Sequence, residues 1–532
     1  MAQAFAVRGR RKLDMKAHKT RAKTAWNGRA SWQYLYDEAY EYAIPYRRPA
    51  SKIGKGARGA DRVFDNTAIV SSFRFAGQLQ KDMFPPGQPF FTLQAGPVIK
   101  ASLPDSERVG MQRQLDEVTT VVSAFFMSGE WDSAINETFI DLGAGTGALL
   151  LLRGTSRRPV RFVNVPFDEI SLELGAYNEI AAIFWKSRMT PRQIREAFPD
   201  GTFPEKFNQL QGEQLEKEID IHQDFIREGE QWRFVAYLDE SEAPIAQETY
   251  RSQPMAVVRY HRVPGEAYGR GPILIALPTI KTLNKAMELT LKSAAIQMLG
   301  IWGYRPGGAF NPDTARIAPG AWWAMSSTGG VLGPDVVRMD ASSGRIDVAN
   351  LMTQELRTQV QLAMHDDQLP NTDGATPRSA SEIMARMRRI SENYLGAFGR
   401  LVNEIVPVVV RRAIEILYDM GIIETDISID DLLIRVDVIS PMAQALKAGA
   451  LAKIIEFIEL ILAIKGPEQL EMLVKIDEAL THVGLETGVP AQFILTAEER
   501  QELQQRLAAA AAQMAAAQAA QAEAGENQEA VA

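Results

Sequence analysis

The side chains that could carry chemistry are few in this chain of 532 residues. Five histidines (His18, His222, His261, His365 and His482) never pair at metal-ligand spacing. A histidine meets acids at His365-Asp366-Asp367, which could hold a metal but reads more simply as solvated loop. Cysteine is absent, which removes disulfides, zinc–thiolate sites and thiol nucleophiles. No glycine-rich loop ends in Gly-Lys-Ser/Thr, so phosphate-loop ATP hydrolysis is not expected. What remains is charge. Lys281, Lys285 and Lys292 share the polar side of one helical pattern. Such a row reads from the residues as a solvated or subunit-facing charged surface.

One string invites an enzymatic reading. Phe139-Ile140-Asp141-Leu142-Gly143-Ala144-Gly145-Thr146-Gly147 matches the first motif of S-adenosylmethionine-dependent methyltransferases. There the glycines let the backbone approach the cofactor at a strand-to-helix turn. The surroundings oppose it. Ser133 to Thr138 are mixed polar and suit a helix, and Arg153-Gly154-Thr155-Ser156 breaks the chain where the next helix should run. No acid ends a clean second strand at the required distance. The other reading is a tight helix-to-strand turn, with glycine supplying positive φ. We expect no enzyme, no cofactor and no metal.

The bulk numbers narrow the class. Apolar residues at 46% and charged residues at 23% are globular values, and the length allows roughly two to four domains. A net charge of −8 opposes a protein that coats duplex DNA, though a surface that DNA slides past stays open. The best apolar run, Ile454 to Ile464, is short and carries Glu456 and Glu459, so no transmembrane helix is expected. Arg8 to Lys12 interrupt any signal-peptide core, and a soluble intracellular protein is expected.

The elements that must position these residues follow from periodicity. Residues 1–30 carry Arg8, Arg10, Arg11, Lys12, Lys16, Lys19, Arg21, Lys23 and Arg29 against the single acid Asp14. They are either an arm for nucleic acid or an acidic partner, or the solvated face of a helix whose apolar side bears Trp26 and Trp32. That helix should end before Pro45. Residues 61–91 give a helical stretch stopped by Phe84-Pro85-Pro86-Gly87, and two helices follow near Val118–Phe126 and Trp131–Phe139. Alternation over 150–262 predicts strands, interrupted by a helix from Pro191 to Phe198 capped by Thr190. Residues 31–270 thus read as α+β with an antiparallel sheet. Ala276, Ile280, Leu283, Met287, Leu291, Ala294 and Met298 predict a helix from Ile273 to Leu299, and another covers about 347–364. A third opens with capping-box residues Ser379 and Glu382, weakens at Gly396 and Gly399, and bends at Pro407. Ile422 to Ile439 reads as a short strand pair, and 441–496 as three or four helices. The tail, where 14 of the last 25 residues are Ala, is a long helix or disordered.

Taken in order, five strings make the chain resemble the portal (head-to-tail connector) proteins of short-tailed double-stranded DNA bacteriophages. They are Asp65-Asn66-Thr67, the helix end from Leu79 to Pro86, Asp141 to Gly147, Tyr268-Gly269-Arg270-Gly271-Pro272 with Ile280-Lys281-Thr282-Leu283-Asn284, and Arg378-Ser379-Ala380-Ser381-Glu382-Ile383. The resemblance spans nearly the full length and implies a mixed α+β, mainly helical portal fold. It assigns 1–270 to an N-terminal arm and wing, 271–299 to a stem helix, 300–346 to a clip, and 347–378 to a second stem helix and tunnel loop. It assigns 379–440 to a long kinked helix returning to the wing, 441–496 to a crown, and 497–532 to a barrel helix or disordered tail. It implies a dodecameric ring at one capsid vertex of the virion, assembled in the host bacterial cytoplasm. The ring would conduct DNA in packaging and ejection, with terminase, tail adaptor, capsid, scaffolding and internal core proteins as partners. Lys281, Lys285 and Lys292 would face DNA in the channel. Asp366, Asp367 and Asp373 would repel it from the tunnel loop. Trp302, Tyr304, Trp322 and Trp323 would anchor partners at the clip.

Overall fold

A computed structural model describes residues 14–48, 59–60, 62–102, 105–128, 130–299, 301–304, 336–339, 346–366, 380–424 and 434–439, with scattered positions beyond. Met15–Ala43 forms α1, Thr67–Met83 α2, Phe91–Ala95 β1, Pro97–Ser102 α3, Asp105–Ser128 α4 and Trp131–Ala144 α5. Strands Thr146–Thr155 (β2), Arg158–Val165 (β3), Ile170–Leu174 (β4) and Ile180–Met189 (β5) follow. Short helices Pro191–Ala197 (α6) and Glu205–Asn208 (α7) precede Ile219–Glu228 (β6), Gln231–Leu238 (β7), Ala246–Tyr250 (β8) and Met255–Arg259 (β9). The rest comprises Pro272–Leu299 (α8), Ile301–Tyr304 (β10), Val336–Met339 (β11), Ile346–Ala363 (α9), Ala380–Asp419 (α10) and Ile434–Val438 (β12).

The expected mixed α+β class holds, and the pairings are antiparallel. One sheet runs β3-β2-β9 and a second β4-β5-β6-β7-β8. Ala148 to Leu151 of β2 are all buried rather than alternating. Helices α5 and α10 both pack on this strand, which explains a continuous apolar run. The core joins Phe75, Phe139, Leu149, Tyr260, Ile273, Leu283, Ile405 and Val409. Thr190 caps α6 as expected, and Gln193 completes a reciprocal capping box with it.

Helix α10 is held across β9 by two acids. Glu404 accepts the backbone N–H of Arg259 at 2.9 Å. Glu415 accepts those of Arg251 at 2.7 Å and Ser252 at 3.1 Å, plus the Ser252 hydroxyl. Their spacing is about three helical turns, so both point from one face. The helix continues through Pro407 to Asp419.

One pairing joins segments far apart in sequence. Within Ile422 to Ile439, expected as a short strand pair, the described strand β12 pairs with β1, Phe91 opposite Val438 through Ala95 opposite Ile434. β1 itself went unread, because five residues beyond a Pro-Pro-Gly stop carry too little periodicity to announce a strand.

The glycine string is a helix-to-strand turn. Gly145 stands between α5 and β2 with φ 147°. It lies directly on the segment before α8. Tyr260 N donates to Gly145 O at 2.9 Å, Gly271 N to Ala144 O at 3.0 Å, and Gly269 N to Thr146 Oγ1 at 2.9 Å. A Cβ on Gly145 would collide with the Gly269 carbonyl, and one on Gly269 with the Gly145 carbonyl. Gly145→Ala is therefore expected to cost more than about 3 kcal/mol, combining clash with positive-φ strain. Gly28→Ala, with open space around the added methyl, should instead be neutral or stabilising. Thermal melting of the two variants checks this contrast; equal behaviour would overturn it.

Candidate functional site

The residues singled out by sequence cluster around α8, α9 and the segments joining them. The first half of α8 is anchored in the core by Ile273, Ala276, Leu277, Ile280 and Leu283. Asn284 continues the anchor: its Oδ1 accepts Phe64 N at 2.7 Å and its Nδ2 donates to Arg62 O at 2.8 Å. α9 packs along α8. Arg357 of α9 reaches Asp65 from Nε at 2.9 Å and from Nη2 at 2.8 Å. Asp65 also accepts Thr67 N at 2.9 Å, so one carboxylate starts α2 and holds α9. Burial pulls the Asp65 pKa upward, but the bonds from Thr67 and Arg357 outweigh it and hold the carboxyl below its usual range.

Beyond that anchor the outer surface of the pair turns apolar. On α8, Ile275, Leu289, Leu291 and Ile296 are exposed. On α9, Val348, Leu351, Met352 and Leu362 are exposed, Leu351 at 69%. Between α8 and α9, β10 and β11 pair as an antiparallel ribbon, Ile301 opposite Met339 and Tyr304 opposite Val336.

The three lysines do not act as one set. Lys281 donates to Glu38 Oε1 of α1 at 2.7 Å, a bond that raises the lysine pKa and lowers that of Glu38. Lys285 and Lys292 both bind Glu288, at 2.9 and 2.5 Å, and pull its carboxyl down to about 2. All three lysines remain partly exposed.

Asp366 is not a solvated loop residue. Its carboxylate is 6% exposed and accepts Ser71 Oγ at 2.7 Å and Arg74 Nη1 at 3.3 Å. His365 lies beside Tyr260 instead, Nε2 to hydroxyl 3.3 Å. Among the described residues no cluster of histidine and acid side chains could hold a metal ion. Tyr304 ends β10 half-exposed, and Trp302 sits opposite Arg338 in the ribbon. Asp367, Asp373, Trp322 and Trp323 lie outside the described residues, as do most of 441–496 and of the tail.

The basic N-terminal segment, described from Asp14 onward, lies in helix α1; Lys16 and Lys23 are on its exposed face, while His18, Lys19, Arg21 and Arg29 turn inward. Lys19 Nζ donates to the carbonyls of Asp239 at 2.7 Å and Ser241 at 2.6 Å. Arg21 forks onto Glu173, and His18 Nε2 meets the buried Asp224 carboxylate at 2.8 Å. Arg29 is buried, donates to Phe167 O at 2.9 Å, and stacks on Phe167 and Trp26. Burial lowers its pKa. The segment is a clamp on the five-stranded sheet. Residues 1–13 lie outside the described region.

A family model described as "Bacteriophage head to tail connecting protein" matches residues 15–495. The chain belongs to that family. This makes the connector a structural component of a phage virion. No curated protein matches the chain. Among its described residues no helix is long and apolar enough to cross a membrane.

Sequence reading missed the connector's positioning residues Arg29, Arg357, Glu404 and Glu415. The available signal was a charge at a core-facing register: Glu404 and Glu415 interrupt the buried stripe of α10 at its own spacing. Arg29→Ala should lower stability by about 2–4 kcal/mol, since it strips a buried cation and leaves Phe167 O unpaired. Arg21→Ala, at a partly exposed pair, should cost under about 1 kcal/mol. Thermal unfolding of the two variants tests the order, which a larger loss for Arg21→Ala would reverse.

Proposed function

We propose that this connector assembles as a closed ring at one capsid vertex, conducts double-stranded DNA during packaging and ejection, and docks the packaging motor and then the tail. The observation that carries the reading is the outward apolar stripe on α8 and α9. A helix pair already packed in its own core has no intramolecular reason to expose Leu289, Ile296, Leu351, Met352 and Leu362. Two different faces suit a head-to-tail contact between copies, which closes into a ring. Dodecameric symmetry and the short-tailed phage type come from the family resemblance. On this reading α8 and α9 are stem helices, and the β10–β11 ribbon with Trp302, Tyr304, Trp322 and Trp323 is the clip. Asp367 and Asp373 are the tunnel-loop acids, while Asp366 anchors the loop to α2.

Because Glu288 neutralises part of the charge of Lys285 and Lys292, the stem offers DNA a weakened field rather than firm phosphate grips. That favours sliding over binding. Terminase, tail adaptor, capsid, scaffolding and internal core proteins are the partners this assignment calls for, with assembly in the host cytoplasm.

Electron microscopy of purified protein along the particle axis should give closed rings with a hole wide enough for duplex DNA. Leu289→Asp combined with Leu351→Asp should abolish rings while circular dichroism stays unchanged; intact rings would remove the stripe from the interface. Pro407→Ala should leave the melting point equal or higher, since proline opposes helix interiors, yet reduce the yield of DNA-filled heads. Normal filling would show that Pro407 has no part in packaging.

A further inference from the structure

We propose that Arg259, with Arg262 and Arg400 beside it, forms a binding site for a phosphate-type oxyanion at the end of β9. The Arg259 side chain is only 4% exposed. Its Nη2 reaches Glu404 Oε1 at 3.3 Å, long for a charge-assisted bond. Its Nε and Nη1 are buried without a partner. Arg29, Arg48, Arg113, Arg411 and Arg412 each leave only Nε in that condition. A buried guanidinium with two idle nitrogens is costly and calls for an acceptor.

The surroundings select the sign of that acceptor. Arg262 also leans on Glu404, Nη1 to Oε1 3.5 Å, while its Nη2 donates to Asn178 O at 2.7 Å. One carboxylate thus answers two guanidiniums and a backbone N–H. Arg262 and Arg400 both lie close enough to oppose the charge on Arg259. Partial burial, assisted by Arg400, holds His261 below its usual pKa. His261 and Arg262 are exposed at the rim, which gives an ion a way in.

The idle donors are Arg259 Nε and Nη1, which point away from one another on the guanidinium, while Arg262 from the stretch before α8 and Arg400 from α10 add positive charge around them. A tetrahedral phosphate offers oxygens to match, whereas a planar carboxylate serves one guanidinium edge. The site needs neither a ring nor a channel, so it stands apart from the connector assignment.

The test is thermal melting of the full-length protein titrated with inorganic phosphate, against acetate and chloride at constant ionic strength. Phosphate should raise the midpoint with dose, and Arg262→Gln/Arg400→Gln should weaken its apparent Kd by about tenfold or more. Should the double variant not fold, Arg262→Gln alone, at a partly exposed position, carries the comparison. No phosphate shift, or an unchanged variant, overturns the proposal. An equal acetate shift also overturns it and assigns the arginines to a carboxylate, such as one from a neighbouring copy. Given a phosphate shift, competition by a duplex oligonucleotide names the DNA backbone as the source, and its absence names free phosphate. Ring formation is scored separately by microscopy, so failure here leaves the connector assignment untouched.

Discussion

The described core hangs on one close approach of two backbones. The turn from α5 into β2 and the segment before α8 touch at Gly145 and Gly269, where neither partner has room for a Cβ. Tyr36 of α1 seals the contact, its hydroxyl 2.6 Å from Gly269 O and 2.8 Å from Thr146 Oγ1. In this buried place the phenol pKa is pushed well upward by loss of solvent, so the ring stays a neutral donor. From that point run α1, α5, β2, β9 and α8. Fixing it fixes where the α8–α9 pair leaves the body of the molecule.

Around that contact the chain is organised by polar bonds placed inside apolar packing. Asp65 with Arg357, Glu404 with Arg259, Glu415 with Ser252, and Arg29 with Phe167 O each join segments far apart in sequence. Burial makes such bonds costly to break, because the partner left behind has no water to turn to. They therefore set where α9, α10 and α1 lie more than they add net stability. Exposed pairs such as Lys285 and Lys292 with Glu288 work differently: water and salt screen them, so they add little to stability.

The exposed apolar side chains on α8 and α9 and the lysines beside them are the features on which the proposed assembly rests. Apolar area on a helix pair is stabilising once a second copy covers it. Partial neutralisation of Lys285 and Lys292 by Glu288 would weaken any salt-sensitive grip on a polyanion in the proposed channel. Both properties suit a protein that joins head to tail, as its family does.

The sequence by itself determined the long helices, the strands between 150 and 262, the cap at Thr190 and the family strings. All rest on local periodicity or local turn chemistry, which a linear reading can see. Tertiary structure decided what those strings do. Asp141 to Gly147 looked like a cofactor loop because glycine reports only that a backbone must come close, not to what. The answer, Gly269, lies more than a hundred residues away. The same distance hid the pairing of β12 with β1 and the docking of basic α1 on acids of the sheet. Asp366 reads as a solvated loop residue because a short polar stretch looks solvated in isolation; only the fold could bring Ser71 and Arg74 to it.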